Sequence, residues 1–231
     1  MTENQNPTSG FTRVRIWDGW IRLFHWSLVV SVVFLLISGE TGWQFYEWHQ
    51  LAGEFVLLLV VFRVAWSIAG SSNASLIGLV VNPLRAIAHL NDLVRGRSTP
   101  HAGHNAAGGW AVLVMLASIA FQAISGLFIA DEEELIEGAF YGSVSSDTSS
   151  TLYSLHHLNA HLIQAVVVIH IAMIIFYALR VRQNLVKPML TGWMDWFGEA
   201  DEQGVEFQRG WVGAVLFVGL ALAASWIFLW W

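Results

Sequence analysis

Residues 155–170 read Leu-His-His-Leu-Asn-Ala-His-Leu-Ile-Gln-Ala-Val-Val-Val-Ile-His, and the run continues without a charge to residue 179. An apolar segment of this length can cross a hydrocarbon core of about 30 Å, which takes about 20 residues. Imidazoles inside such a segment are costly to bury and mark a functional position. His156 and His170 lie 14 residues apart. A helix turns about 100° and rises about 1.5 Å per residue, so the two return to nearly one face about 21 Å apart along the axis. One helix therefore presents an imidazole toward each leaflet.

Four more apolar runs accompany this one, at residues 23–38, 51–69, 110–130 and 211–231. Of the 231 residues 55% are hydrophobic and 12% charged, which is not the balance of a soluble domain. The expected fold is an all-α polytopic membrane protein, a four-helix transmembrane bundle plus a fifth C-terminal transmembrane helix. No small-residue cleavage site follows the first run, so it is expected to be a span and not a removable signal peptide.

Basic residues sort to one side. Arg13, Arg15 and Arg22 precede or open the first span, and Arg63 lies late in the second. Arg85, Arg95 and Arg97 fall between the second and third, and Arg180, Arg182, Lys187 and Arg209 between the fourth and fifth. The opposite loops carry Glu40, Glu47, Asp131, Glu132, Glu133, Glu134, Glu137 and Asp147. Because Lys and Arg remain cytoplasmic, this predicts a cytoplasmic N-terminus and a periplasmic C-terminus in a bacterial inner membrane. The net charge of −6 makes nucleic acid an unsuitable partner. The absence of cysteine excludes covalent C-x-x-C-H haem, thiolate-held iron–sulfur clusters and disulfides. Any redox centre must be held by imidazole.

Three parts are expected: a polar cytoplasmic tail over residues 1–16, the bundle over 17–192, and a linker with the fifth helix over 193–231. Within the bundle, Asn82-Pro83 opens a short amphipathic helix over about residues 83–96, lying on the inner membrane surface. The Trp-rich segment 17–26 reads as an interfacial anchor, with Arg22 snorkelling. His89 reads as solvated, residues 131–151 read as a loop, and no internal repeat stands out.

The four histidines His25, His49, His156 and His170 look like a frame for two stacked b-type haems. By depth, His25 pairs with His170 toward the cytoplasm and His49 with His156 toward the outside. Gly53, one turn after His49, leaves room for a flat macrocycle beside the backbone. Arg63 is 14 residues after His49 and is expected near the inner haem, where a propionate would answer its charge. It could instead pair with a helix C-terminus.

The ordered segments Val14-Arg-Ile-Trp-Asp18 with Arg22-Leu-Phe-His-Trp26, Trp48-His49 with Gly53, Phe62-Arg63 with Trp66, Gly103-His-Asn-Ala-Ala-Gly-Gly-Trp110, Leu155-His156 with His170, and Asn184-Leu185 resemble the bacterial cytochrome b561 and nickel-iron hydrogenase b-subunit family. That family is related to the membrane subunit of formate dehydrogenases. The resemblance spans about residues 14–192 and implies bis-histidine ligation of two haem b irons by His25, His49, His156 and His170. It also implies quinone chemistry at the inner haem near residues 105–108. His104 and Asn105, with His101 nearby, suit quinone carbonyls, and His104 could relay protons. Two positions depart from the family: His157 stands where an acidic residue is frequent, and His161 where an amide is frequent. The fifth helix is absent from some short members.

The function expected is a dihaem b-type membrane cytochrome of a respiratory chain, the electron-transfer subunit of a quinone-linked oxidoreductase. It would link ubiquinone or menaquinone to a periplasmic c-type cytochrome, dehydrogenase or hydrogenase subunit. A stand-alone superoxide:quinone oxidoreductase is an alternative. A different class, a metal or proton permease using the same histidines, is disfavoured because Glu54 is the lone acid well inside a span.

Overall fold

The computed structural model describes residues 11–41, 45–97, 103–131, 136–197 and 205–230. His101 and residues 132–134 lie outside the described residues. Among the described residues, five helices are long and apolar enough to cross a membrane: α1 (Gly19–Glu40), α2 (Tyr46–Ala69), α4 (Ala106–Gly126), α5 (Ser146–Phe176) and α7 (Gly210–Trp230). Intervening α3 (Pro83–Val94) and the single-turn α6 (Val186–Thr191) complete the helical set. The protein is thus an all-α, multi-pass membrane protein.

Local chemistry starts each helix. The Asp18 carboxylate accepts from the Ile21 amide at 2.8 Å and opens α1. Asn82 caps α3 by accepting from Leu84, with Pro83 in the first turn where its missing N–H costs nothing. The Asn105 side chain accepts from Gly108 at 2.8 Å and opens α4. Ser145 opens α5 nine residues before the apolar run begins, so part of the stretch read as an outer loop is helix, its first turn carrying Asp147. On α3, Ala86 and Leu93 face inward, while Leu84, Ile87, Leu90 and Val94 form an exposed apolar row suited to lying in a lipid interface.

The spans pair as α1 on α2 and α4 on α5, with α2 against α4 joining the halves and α7 docked on α2. Mid-bundle, Val56, Val60, Ile119 and Ile163 form one core. Asn159 clamps α5 to α4: its amide donates to the Ser118 carbonyl at 3.0 Å and to Gln122 Oε1 at 2.7 Å, and its oxygen accepts from the Ser118 hydroxyl at 2.8 Å. Every polar atom of that buried amide which faces α4 is answered, which the bilayer demands.

The N-terminal segment departs from expectation. Strand β1 (Phe11–Arg15), placed in the polar tail of residues 1–16, pairs antiparallel with the last strand, β4 (Trp193–Phe197), which the sequence assigns to a linker. Arg13 faces Asp195, which also pairs with Lys187. A second, two-residue ribbon joins β2 (Ala130–Asp131) to β3 (Ile136–Glu137) at the other end. The β1–β4 ribbon closes over a second core of Ile16, Trp17, Ile21, Phe62, Trp66, Ala74 and Met194.

The Trp-rich segment also behaves differently from a simple interfacial anchor. Trp17 is buried, Trp20 donates to the Gly210 carbonyl at 2.8 Å, and Trp26 donates to the Met189 carbonyl at 3.1 Å. Arg22 donates to the Leu190 carbonyl at 2.7 Å, satisfying the end of α6 as well as reaching outward. These indoles and the guanidinium tie α1 to segments more than 160 residues away in sequence.

Candidate cofactor-binding site

A cavity of about 560 Å³ opens between the α1–α2 pair and the α4–α5 pair, at the end of the bundle where the loops are acidic. His49 from α2 and His156 from α5 both line it, with Gly53 beside them and Val32, Leu35, Val56, Ile119 and Ile163 as apolar wall. Polar and titratable side chains line it too, among them Glu40, Tyr46, Glu54, His157 and His161. The size falls within the about 300–1,000 Å³ of ligand pockets, and the lining of apolar wall plus a few convergent polar groups is their usual composition.

Both imidazoles are held from behind. His49 Nδ1 lies 2.8 Å from Ser38 Oγ, and His156 Nδ1 lies 2.9 Å from Ser125 Oγ. Beyond His156, the His157 ring stands roughly edge-on at 6.2 Å between centroids and packs tilted against Tyr153 at 4.5 Å. His161 approaches Gln164 on its own helix. Nothing lies within 4 Å of where a Cβ on Gly53 would stand, so the cavity reaches the α2 backbone there. A Gly53→Phe variant is expected to fold normally, since the ring enters open space, yet to fill the cavity. Purified variant should then carry less cofactor than the wild type, measured by absorbance per protein; an unchanged ratio would show that this cavity is not a cofactor site.

At the opposite, basic end a second cluster forms. His25 of α1 lies close enough to His170 of α5 for their charges to interact, and His170 is similarly near His104. The Nδ1 atom of His25 is buried without a hydrogen-bond partner. An unanswered buried polar atom of this kind is uncommon and needs an explanation, such as a ring oriented by something bound at its other nitrogen. Arg63, 5% exposed, donates to the Ala74 carbonyl at 2.7 Å and lies in the field of Asp18. The carboxylate of Asp18 is itself held by the Ile21 amide and by Trp66 Nε1 at 3.1 Å. Protein groups therefore already answer part of the Arg63 charge, and the carbonyl it meets belongs to the turn Ser72–Ala74.

His104 packs its ring 4.8 Å from that of Trp17. Burial, with Arg63 and then His170 nearby, pushes its imidazole down to about 4, so it is neutral at physiological pH and offers one donor and one acceptor. A smaller cavity of about 200 Å³ lies between His104, Asn105, Arg85 and residues 78–81. Asn105 is occupied in both directions: its oxygen caps α4 and its amide donates to the Tyr177 hydroxyl at 2.7 Å. His89 is not a solvated surface group, because its Nε2 meets the same hydroxyl at 2.9 Å. Sequence reading missed Tyr177, Ser38, Ser125, Asp18 and Asn159. The two serines did carry a signal, since both stand in Ile-Ser-Gly triplets, at residues 37–39 and 124–126.

The chemistry on offer is that of neutral imidazoles facing apolar space from helices on opposite sides. Among the described residues no three His, Cys, Asp or Glu side chains converge as a bare ion requires. Two imidazoles across an apolar slot suit instead an iron whose other ligands come from a macrocycle.

Comparison with known proteins agrees with this chemistry. A model of the family described as prokaryotic cytochrome b561 matches residues 16–192, covering α1 to α6 and stopping before α7. A probable Ni/Fe-hydrogenase B-type cytochrome subunit from Rhizobium leguminosarum bv. viciae is 23% identical in an alignment covering 78% of this chain and 87% of that protein. With five apolar spans, facing histidines and a family match over most of its length, the chain belongs to the prokaryotic cytochrome b561 family, and is a multi-pass membrane b-type cytochrome of electron transfer.

Proposed function

We propose that the protein binds two haem b groups and carries electrons between a redox partner on its acidic face and the membrane quinone pool. The observation that carries this reading is the sorting of the intramembrane histidines into two clusters, His49 with His156 and His25 with His170, at opposite ends of the bundle. Each pair would hold a haem b, which would supply a one-electron couple at its end of the bundle. Gly53 keeps the backbone clear for the acidic-end group. Arg63 contributes positive charge at the basic end, where a propionate would add to the partners it already has.

His104 and Asn105 border the cavity of about 200 Å³, a space in which the head group of ubiquinone or menaquinone would meet both side chains. A neutral His104 can hold a quinone carbonyl or take the proton of a quinol. The charge asymmetry supports a cytoplasmic N-terminus and a periplasmic acidic face in the bacterial inner membrane. Glu40, Glu47 and Asp147 on that face suit a partner with a basic patch, such as a c-type cytochrome or a dehydrogenase or hydrogenase subunit.

The test is a reduced-minus-oxidised spectrum of the purified protein with pyridine haemochrome quantification, followed by addition of a quinol. Two haem b per chain, both reduced by the quinol, are expected. A folded, colourless preparation from haem-replete cells would overturn the reading in favour of a permease. Two haems indifferent to any quinol would remove the quinone pool alone.

A further inference from the structure

The side chains behind His49 and His156 repeat each other. Ile37-Ser38-Gly39 lies in the last turn of α1 and Ile124-Ser125-Gly126 in the last turn of α4. Each serine reaches Nδ1 of the histidine on the next spanning helix, at 2.8 and 2.9 Å. Each glycine sits against the same ring: a Cβ on Gly39 would stand 3.5 Å from His49 Cε1, and one on Gly126 would stand 3.2 Å from His156 Cε1. Both serines are almost fully buried, so water does not compete for the hydroxyls. The same Ser-Gly seat is thus built twice, once on each half of the bundle.

The direction of these hydrogen bonds follows from counting protons. Ser38 Oγ–H donates to the Leu35 carbonyl at 3.3 Å, and Ser125 Oγ–H donates to the Gln122 carbonyl at 3.1 Å. A hydroxyl has one proton and two lone pairs. Toward the imidazole, then, each serine accepts, and the proton of each neutral ring resides on Nδ1. Nε2 is left bare, which is the form that binds a metal. A hydrogen bond from the ring's second nitrogen also makes the imidazole a stronger electron donor to a bound metal. At the basic end, by contrast, the buried Nδ1 of His25 has no acceptor.

We infer that Ser38 and Ser125 are positioning residues for the acidic-end haem, fixing the tautomer and ring orientation of His49 and His156 and holding the potential of that haem down. The inference rests on the dihaem reading. An alternative role, a plain interhelical hydrogen bond, would affect stability and leave the potentials alone.

The experiment is a potentiometric titration of the full-length purified protein, with haem quantified in each sample. Ser38→Ala and Ser125→Ala are each expected to retain two haems and to raise the midpoint of the same one of the two couples, leaving the other unmoved. Ser31→Ala, which deletes another buried hydroxyl of α1, should move neither. Ser38→Thr and Ser125→Thr keep the hydroxyl and should restore the wild-type midpoint, or the haem itself if an alanine variant sheds it. Unchanged couples in both alanine variants, shifts of different couples by the two, or threonine variants no better than alanine would each overturn the inference. A wild-type protein without haem would instead overturn the dihaem reading, so the two failures are distinguishable.

Discussion

Exchange of His49 or His156 for alanine is expected, on the two-haem reading proposed above, to leave about one haem b per chain in place of two, with the same haem lost in both variants. The two imidazoles approach one cavity from α2 and α5, and the cavity wall between them is apolar. Without either ring, a haem held there would lose one of the two imidazoles that face each other across the cavity. His25→Ala and His170→Ala should likewise remove the other haem. The double variants separate this pairing from any other: His49→Ala with His156→Ala retains one haem, whereas His49→Ala with His170→Ala retains none. Pyridine haemochrome with protein quantification reads the difference directly. His157→Ala and His161→Ala should keep the haem content of the wild type, since both side chains are exposed and each meets a neighbour on its own helix. Equal haem content in the two double variants would break the pairing.

Trp66→Ala is expected to produce the largest loss of stability among single changes away from the histidines. Trp66 has no exposed surface, stacks on Phe62 at 5.9 Å between centroids and donates to the carboxylate of Asp18. That carboxylate caps α1 and lies in the field of Arg63, so one indole joins the start of α1 to the end of α2. Truncating a fully buried aromatic costs about 3–5 kcal/mol through lost contacts and the cavity left behind. Trp66→Phe keeps most of the volume and should cost less, about 1–3 kcal/mol for the buried acceptor deprived of a donor. Denaturant unfolding in detergent, followed by far-ultraviolet circular dichroism, gives the comparison; an alanine midpoint equal to that of wild type would show that this core does not govern stability.

The two results bear on different ends of the molecule. The histidine variants probe a slot that the helices leave open, whereas Trp66 belongs to the sealed core beneath the β1–β4 ribbon. That core brings together residues from β1, α1, α2 and β4, with α7 packed against it. Its Trp17 packs against His104 and its Ala74 carbonyl accepts from Arg63, so it touches the basic-end cluster at two of its members. Loss of Trp66 should therefore loosen the basic-end haem before the acidic-end one, visible as an earlier loss of one of the two haem signals on heating.

Much of this protein was legible in its sequence, for a reason rooted in the bilayer. A backbone in hydrocarbon must satisfy its own hydrogen bonds, so long apolar runs become helices whatever their neighbours. The five spans, the short amphipathic α3 and the Asn-Pro start of that helix were all readable in this way. So was the 14-residue interval that puts His156 and His170 on one face, because helix geometry is local. Which partners those helices choose is not local. Ser38 meets His49, Trp20 meets Gly210, Arg22 meets Leu190 and Asn105 meets Tyr177 only once the faces of separate helices have packed. The β1–β4 ribbon, joining residues about 180 apart, has no signature in five polar-flanked residues read alone. The sequence by itself determined the spans, their charge asymmetry and the depths of the histidines. Tertiary structure decided which rings share a cavity, which hydroxyl stands behind each, and what answers the buried charge of Arg63, because each of these is a contact between groups that the chain connects only at a distance.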